Sequence, residues 1–250
     1  MFYLQIINLN ITTQVLLPEY IMQQITENNE FSIYVYYSET IYCLFFWVLY
    51  YCAISDESNL FYNFIRKLPR EKRLEGNSRV ISSTHAMVLS FFSTLYLIDM
   101  IDYEHWITVL PVCSSFGLFD LTLVTIHYSK FKKNYVPVFI HHSLLIFGPL
   151  LVTHSNSYVM AQSFLFENTV PILDFIWYLY HTNHNESLLF KMNAVVGLIS
   201  FFLFRIVNNF YLLTQSVQFN SLFQLAAISF MGLNIYWFYS LTKLFLRSTL

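Results

Sequence analysis

The chain has 250 residues, 56% of them hydrophobic and 11% charged, with a formal net charge of −2 at pH 7. That balance excludes a nucleic-acid surface built on excess positive charge, and a soluble all-helical protein would need polar helix faces that most of this sequence lacks. The length fits one compact bundle and leaves no room for a second domain.

Residues 1–31 contain no Lys or Arg and read as a lumenal tail. An apolar stretch near the start has no basic region before it and is followed by Pro18, Glu19, Glu27 and Glu30, so no cleaved signal peptide is expected. The first span is 32–54, and 55–79 is a basic cytosolic loop carrying Arg66, Lys67, Arg70, Lys72, Arg73 and Arg79, partly offset by Asp56, Glu57, Glu71 and Glu75. Such a loop suits contact with acidic lipid headgroups. Residues 80–247 then form a six-helix domain, with spans at 80–101, 106–126, 135–153, 157–180, 190–213 and 221–247. A spanning helix needs about 20 mostly apolar residues, because no backbone polar group stays unpaired in hydrocarbon. The expected fold is therefore all-α, a multi-pass membrane bundle of about seven transmembrane helices.

Orientation follows from the cations. Lys130, Lys132 and Lys133 fall in the third connection, Lys191 at the edge of the fifth, and Lys243 and Arg247 near the C-terminus, whereas the tail and the alternate connections have none. This places the N-terminus in the lumen or outside and the C-terminus in the cytosol. Cys43, Cys52 and Cys113 all lie within spans and read as buried packing residues, without a disulfide framework. With five glycines, helix contact is expected to rest on larger side chains rather than on small-residue seams.

An ionisable group at membrane depth costs roughly 3 kcal/mol on insertion scales, so each needs a partner or a purpose. His85, Asp120, His141, His142 and Asp174 fall in one layer roughly 10 Å below the cytosolic surface, with His127 nearer the cytosol. These six are the expected polar lining of a lipid cavity. The adjacent imidazoles His141 and His142, with Asp120, are the candidate catalytic groups if the protein is an enzyme, since an imidazole beside a carboxylate suits general-base or nucleophilic work; the competing reading is hydrogen bonding between helices. Glu167 and Arg205 share a level near mid-membrane and are expected to form a structural ion pair. The alternative for that pair is a site holding an anionic headgroup or carboxylate. Pro171 is expected to kink the fifth helix beside Glu167.

Several segments together resemble a known family: Arg79-Val-Ile-Ser-Ser-Thr-His85-Ala, Phe116-Gly-Leu-Phe-Asp120, His141-His142, Glu167-Asn-Thr-Val-Pro-Ile-Leu-Asp174-Phe-Ile-Trp177 and Phe201-Phe-Leu-Phe-Arg205. Their order and spacing, over about 75–247, resemble the TLC-domain family of ceramide synthases and translocating-chain-associating membrane proteins. The Ser82 to His85 opening and the Glu-Asn-Thr block are most similar to the small TLC-domain-containing, transmembrane protein 56-like subgroup. The resemblance implies a helical bundle around a lipid-accommodating cavity in the endoplasmic reticulum or another endomembrane. It implies membrane lipid as the partner, and a role in membrane lipid composition or homeostasis. In ceramide synthases paired histidines, matching His141 and His142, serve transfer of an acyl group from acyl-CoA to an amine. Their signature continues with a His-Asp in the next span, where this chain reads Glu167-Asn-Thr and has none. Lipid binding is therefore the leading expectation, an acyl-CoA-dependent N-acyltransferase the alternative, and a transporter or channel a weaker one.

A di-iron oxygenase would need most of the eight histidines, which include His105, His154, His181 and His184, to converge from paired boxes. Only His181-Thr-Asn-His184 and His141-His142 approach such spacing, so no metal site and no cofactor is expected. No nucleic-acid partner is expected either.

The orientation makes a prediction about glycosylation. Asn10-Ile11-Thr12 and Asn185-Glu186-Ser187 are both acceptor sequons, on the expected lumenal tail and a cytosolic connection respectively. A glycosidase-sensitive mobility shift should therefore map to Asn10 and not to Asn185; a glycan at Asn185 in cells would reverse the orientation.

Overall fold

The computed structural model describes residues 33–56, 60–131, 135–219 and 221–249, and among these residues the chain is helical with no strand. Asn10 and the rest of the tail, with Glu57, Lys132 and Lys133, lie outside the described residues. The α-helices are α1 (Ile33–Ser55), α2 (Leu60–Ile65), α3 (Arg73–Leu97), α4 (Tyr103–Trp106), α5 (Val109–Ile126), α6 (Tyr128–Phe131), α7 (Tyr135–Phe147), α8 (Ser157–Phe164), α9 (Val170–His181), α10 (Leu188–Phe201), α11 (Asn208–Ser216) and α12 (Ser221–Thr249). Tighter 3-10 turns cover Arg70–Lys72, Gly148–Leu151 and Leu165–Thr169, and a π-helical segment, Phe202–Val207, joins α10 to α11.

Five helical stretches are long and apolar enough to cross a membrane: Tyr36–Ser55, Arg70–Leu97, Tyr103–Ile126, Leu188–Ser216 and Ser221–Lys243. The other two expected spans are shorter. The fourth runs over Tyr135–Leu151 and turns to 3-10 geometry at Gly148-Pro149, where proline removes a backbone donor. The fifth is broken into α8 and α9 by the 3-10 turn at Leu165–Thr169. Pro171 explains the break. It cannot donate to the Glu167 carbonyl, so the Val170 N–H bonds back to that oxygen across three residues instead of reaching Phe166.

The second helix begins earlier than its hydropathy suggests. Arg73 through Arg79, expected as loop, are already helical, with Gly76, Asn77 and Ser78 buried. Glu75 bridges Lys72 at 3.1 Å and Arg79 at 3.0 Å, spacings of three and four residues that support a helix even where the sequence is polar.

Helix α3 is the hub and packs against α1, α5, α8, α9 and the 3-10 turn of the fifth stretch. Three aromatic side chains join helices with the polar tip on a small hydroxyl. Trp47 Nε1 donates to Ser115 Oγ at 3.1 Å, Trp106 Nε1 donates to Ser93 Oγ at 3.2 Å, and Tyr36 pairs with Ser114. Buried, each of these hydroxyl and indole groups needs a partner, and one aromatic ring supplies both area and a hydrogen bond. Outward faces stay apolar, with Tyr42 74% and Ile126 71% exposed, as a lipid-facing surface requires. Cys113 is fully buried, but Cys52 is exposed, so not every cysteine is a packing residue. On the exposed turn before α4, Asp102 caps the helix: the His105 backbone N–H, 2.9 Å away, and then the His105 ring hold its carboxyl below the usual carboxylate range.

Small-residue contact matters more than the glycine count implies. A Cβ on Gly117 would lie 3.1 Å from Leu145 Cβ and 3.2 Å from the His142 carbonyl oxygen, so the close approach of α5 and α7 rests on its absence. Gly117→Val should destabilise the bundle by about 1–3 kcal/mol by overpacking. Gly232→Ala, with nothing within 4 Å of the added atom, should not. Unfolding curves in mixed micelles compare the two.

Candidate functional site

Toward the N-terminal end of α3, where Lys72, Arg73 and Arg79 gather, two polar groups form around that helix. In the first, Asp120 of α5 accepts from Ser78 Oγ at 2.6 Å, and its other oxygen lies 2.9 Å from His142 Nε2 of α7. With Asp120 as the acceptor, Nε2 of His142 donates in this contact, which leaves Nδ1 as its other ring nitrogen. That nitrogen is buried without a partner. His85 is fully buried beside them, its ring stacked on Phe116 with centroids 4.0 Å apart and edge-on to Trp47 at 6.1 Å. Neither of its nitrogens has a hydrogen bond. His141 lies against His142 at 5.1 Å and against Phe230 and Trp237 of α12 at 5.9 and 5.4 Å, with its Nδ1 unpartnered.

The second group is an ion-pair chain. Asp174 of α9 accepts from Arg79 at 2.6 Å and from Ser83 Oγ at 2.8 Å, while Arg79 also holds Glu75 and lies over the Trp177 ring at 4.5 Å. Arg79 and Ser83 are four residues apart on one face of α3, so both reach one carboxylate. This geometry ties α3 to α9. It joins Asp174 to Arg79 rather than to the histidines. His127 ends α5 and joins neither group.

Near mid-bundle lies Arg205, 5% exposed, within the π segment. Its Nη2 is 4.0 Å from Glu167, an outer-limit ion contact rather than a hydrogen bond. The close partners are elsewhere: Nε donates to Thr169 Oγ1 at 2.7 Å and to the Phe166 carbonyl at 3.1 Å. That carbonyl, no longer bonded by the Val170 N–H, also accepts from Thr169 Oγ1 at 2.9 Å. The expected Glu167–Arg205 pair is thus neighbouring but loose, because the 3-10 turn offers the guanidinium a better acceptor.

A cavity of about 50 Å³ opens between the far ends of α7, α8, α11 and α12. Its walls are mostly apolar, among them Leu145, Met160, Phe164, Leu212 and Phe230, with Ser163, Glu167 and Asn209 as polar wall residues. None of His85, Asp120, His127, His141, His142 and Asp174 lines it. Those groups were expected to line one cavity; instead Phe116 fills the space between His85 and His142, and the open volume lies where α7 ends at Pro149 and the fifth stretch is broken. Sequence reasoning missed Ser78, Ser83 and Trp177 as partners, and Ser163 and Asn209 as wall residues. The spacing of Arg79 and Ser83 was the only advance signal. Among the described residues no three His, Cys, Asp or Glu side chains converge to hold a metal ion. His181 is taken up by Trp177, at 4.3 Å between rings, and His154 by Tyr103 at 4.8 Å.

No protein-family model matches the chain, and no curated protein or solved structure is significantly similar to it.

Removing the buried guanidinium should be costly. Arg205→Met should lower stability by about 3–5 kcal/mol, since breaking one side of a buried charged contact leaves the other unpaired. A double-mutant cycle should show stronger coupling of Arg205 to Thr169, tested as Thr169→Val, than to Glu167, tested as Glu167→Gln. Equal or reversed couplings in denaturant titrations would restore Glu167 as the principal partner.

Proposed function

We propose that this chain is a multi-pass membrane protein of TLC-domain type that binds lipid and influences membrane lipid composition. In this reading it crosses the membrane seven times in the endoplasmic reticulum or another endomembrane, with its N-terminus lumenal and its C-terminus cytosolic. The observation that carries the reading is the apolar cavity between four helices, with Glu167 in its wall. Concave, mostly apolar sites with a few polar groups are the usual form of small-molecule and lipid sites. Five membrane-length apolar helices and broad exposed apolar faces support the membrane setting. The order of the quoted motifs supports the family.

One observation favours a second reading, an N-acyltransferase using acyl-CoA. Asp120 orients His142 through Nε2 and leaves a lone pair on Nδ1, the arrangement in which a carboxylate fixes the tautomer of a working imidazole. In that reaction His142 would take the proton of the attacking amine as the thioester carbonyl is attacked, and coenzyme A thiolate would leave. His141 and Asp120 would position it.

Two measurements on the purified full chain separate the readings. Lipid extracted from protein washed in detergent should be present at near-equimolar amounts; protein free of lipid that also fails to take up labelled lipid would remove the first. Turnover of acyl-CoA with long-chain amine acceptors, falling at least about 100-fold in both His142→Ala and Asp120→Asn, is the result the second requires.

A further inference from the structure

The cavity wall holds two incompletely bonded polar groups. Asn209 is 1% exposed and its Nδ2 has no hydrogen-bond partner. Glu167 is 6% exposed, and among the described residues its carboxylate accepts no hydrogen bond; the nearest cation is Arg205 Nη2 at 4.0 Å. Both residues line the same apolar space. Burying such groups without partners is unfavourable, which points to a partner arriving with a ligand.

The wall chemistry narrows that ligand. A fatty carboxylate would face Glu167 at low dielectric, where like charges repel strongly. An ammonium would add a second cation beside Arg205, which already stands opposite the carboxylate. An ester or ether oxygen accepts only, and would leave Glu167 as it is. A hydroxyl both donates and accepts, so it can give its hydrogen to Glu167 while its oxygen accepts from the Asn209 amide N–H. The volume of about 50 Å³ exceeds the roughly 10–15 Å³ needed for one water and leaves room for a head group with its first carbons. Ala226 and Ala227 of α12 are small wall residues beside it.

We propose that this cavity seats the hydroxyl end of a neutral lipid alcohol, bonded by Glu167 and Asn209, with the hydrocarbon held by the apolar walls. The proposal rests on the lipid-binding reading above and deepens it by naming the ligand class. It also separates ligand recognition from the His142–Asp120 layer, none of which reaches the cavity.

The test uses the full chain in detergent micelles and four photoreactive probes with one diazirine-bearing alkyl chain, ending in a hydroxyl, a carboxylate, an amine or a methyl group. The hydroxyl probe should label peptides of α7, α8, α11 and α12 saturably and with at least about tenfold higher affinity than the other three, the difference expected for one well-made buried hydrogen bond. Asn209→Leu should remove that preference while methyl-probe labelling persists, and Glu167→Gln should admit the carboxylate probe. If all four probes label these helices equally, the alcohol assignment is overturned and lipid binding stands. If none labels the chain, both fall together. The ranking on the unsubstituted protein decides the matter even should a variant misfold.

Discussion

Arg205 places a guanidinium deep among apolar side chains, and the fold answers with a carbonyl that has lost its helical Val170 donor. Pro171 withholds one donor, Val170 shifts to Glu167, and the Phe166 oxygen accepts from two side chains, Arg205 Nε and Thr169 Oγ1. On the opposite helix, the π segment Phe202–Val207 takes up one extra residue per turn just where Arg205 leaves the backbone. Two departures from α geometry, one tighter and one wider, therefore meet face to face. Each leaves a backbone misfit, and the Arg205 side chain with Thr169 closes the gap between them.

That junction divides the interior. On one side, carboxylates and imidazoles are packed against each other and against Phe116. On the other, the same break in the fifth stretch and the early end of α7 leave a hollow bounded by hydrocarbon. Glu167 stands at the boundary, close to Arg205 yet lining the hollow. A protein that handles an amphiphile can use such a partition: one region rigid through hydrogen bonds and stacking, the other able to accept a guest.

Much of the architecture was readable from patterning. Long apolar stretches and the placement of Lys and Arg give the helix succession, because hydrocarbon tolerates few alternatives. The exceptions have local causes. Residues 73–79 looked like loop because charges outnumber apolar groups there; the Glu75–Arg79 pair that supports the helix is local, but the Arg79–Asp174 bridge that anchors this turn is tertiary. The depth of His142 and Asp120 was legible from residue counting, and their contact follows from the glycine at 117 that lets α5 and α7 approach. The wall role of Asn209 was not legible, since an amide in an apolar helix carries no sign of which neighbour it will lack. Nor was the preference of Arg205 for a backbone acceptor, which depends on a carbonyl that loses its helical donor to a proline on another helix.

The described part of the α7 stretch is shorter than its neighbours. Thirteen α-helical residues followed by four in 3-10 geometry extend about 27 Å. That length is close to the hydrocarbon thickness of endoplasmic-reticulum bilayers and about 5 Å short of a sterol-rich plasma membrane. If this stretch crosses a bilayer thicker than itself, the lipid has to thin along this one face of the bundle, at a modest elastic cost for each ångström of mismatch.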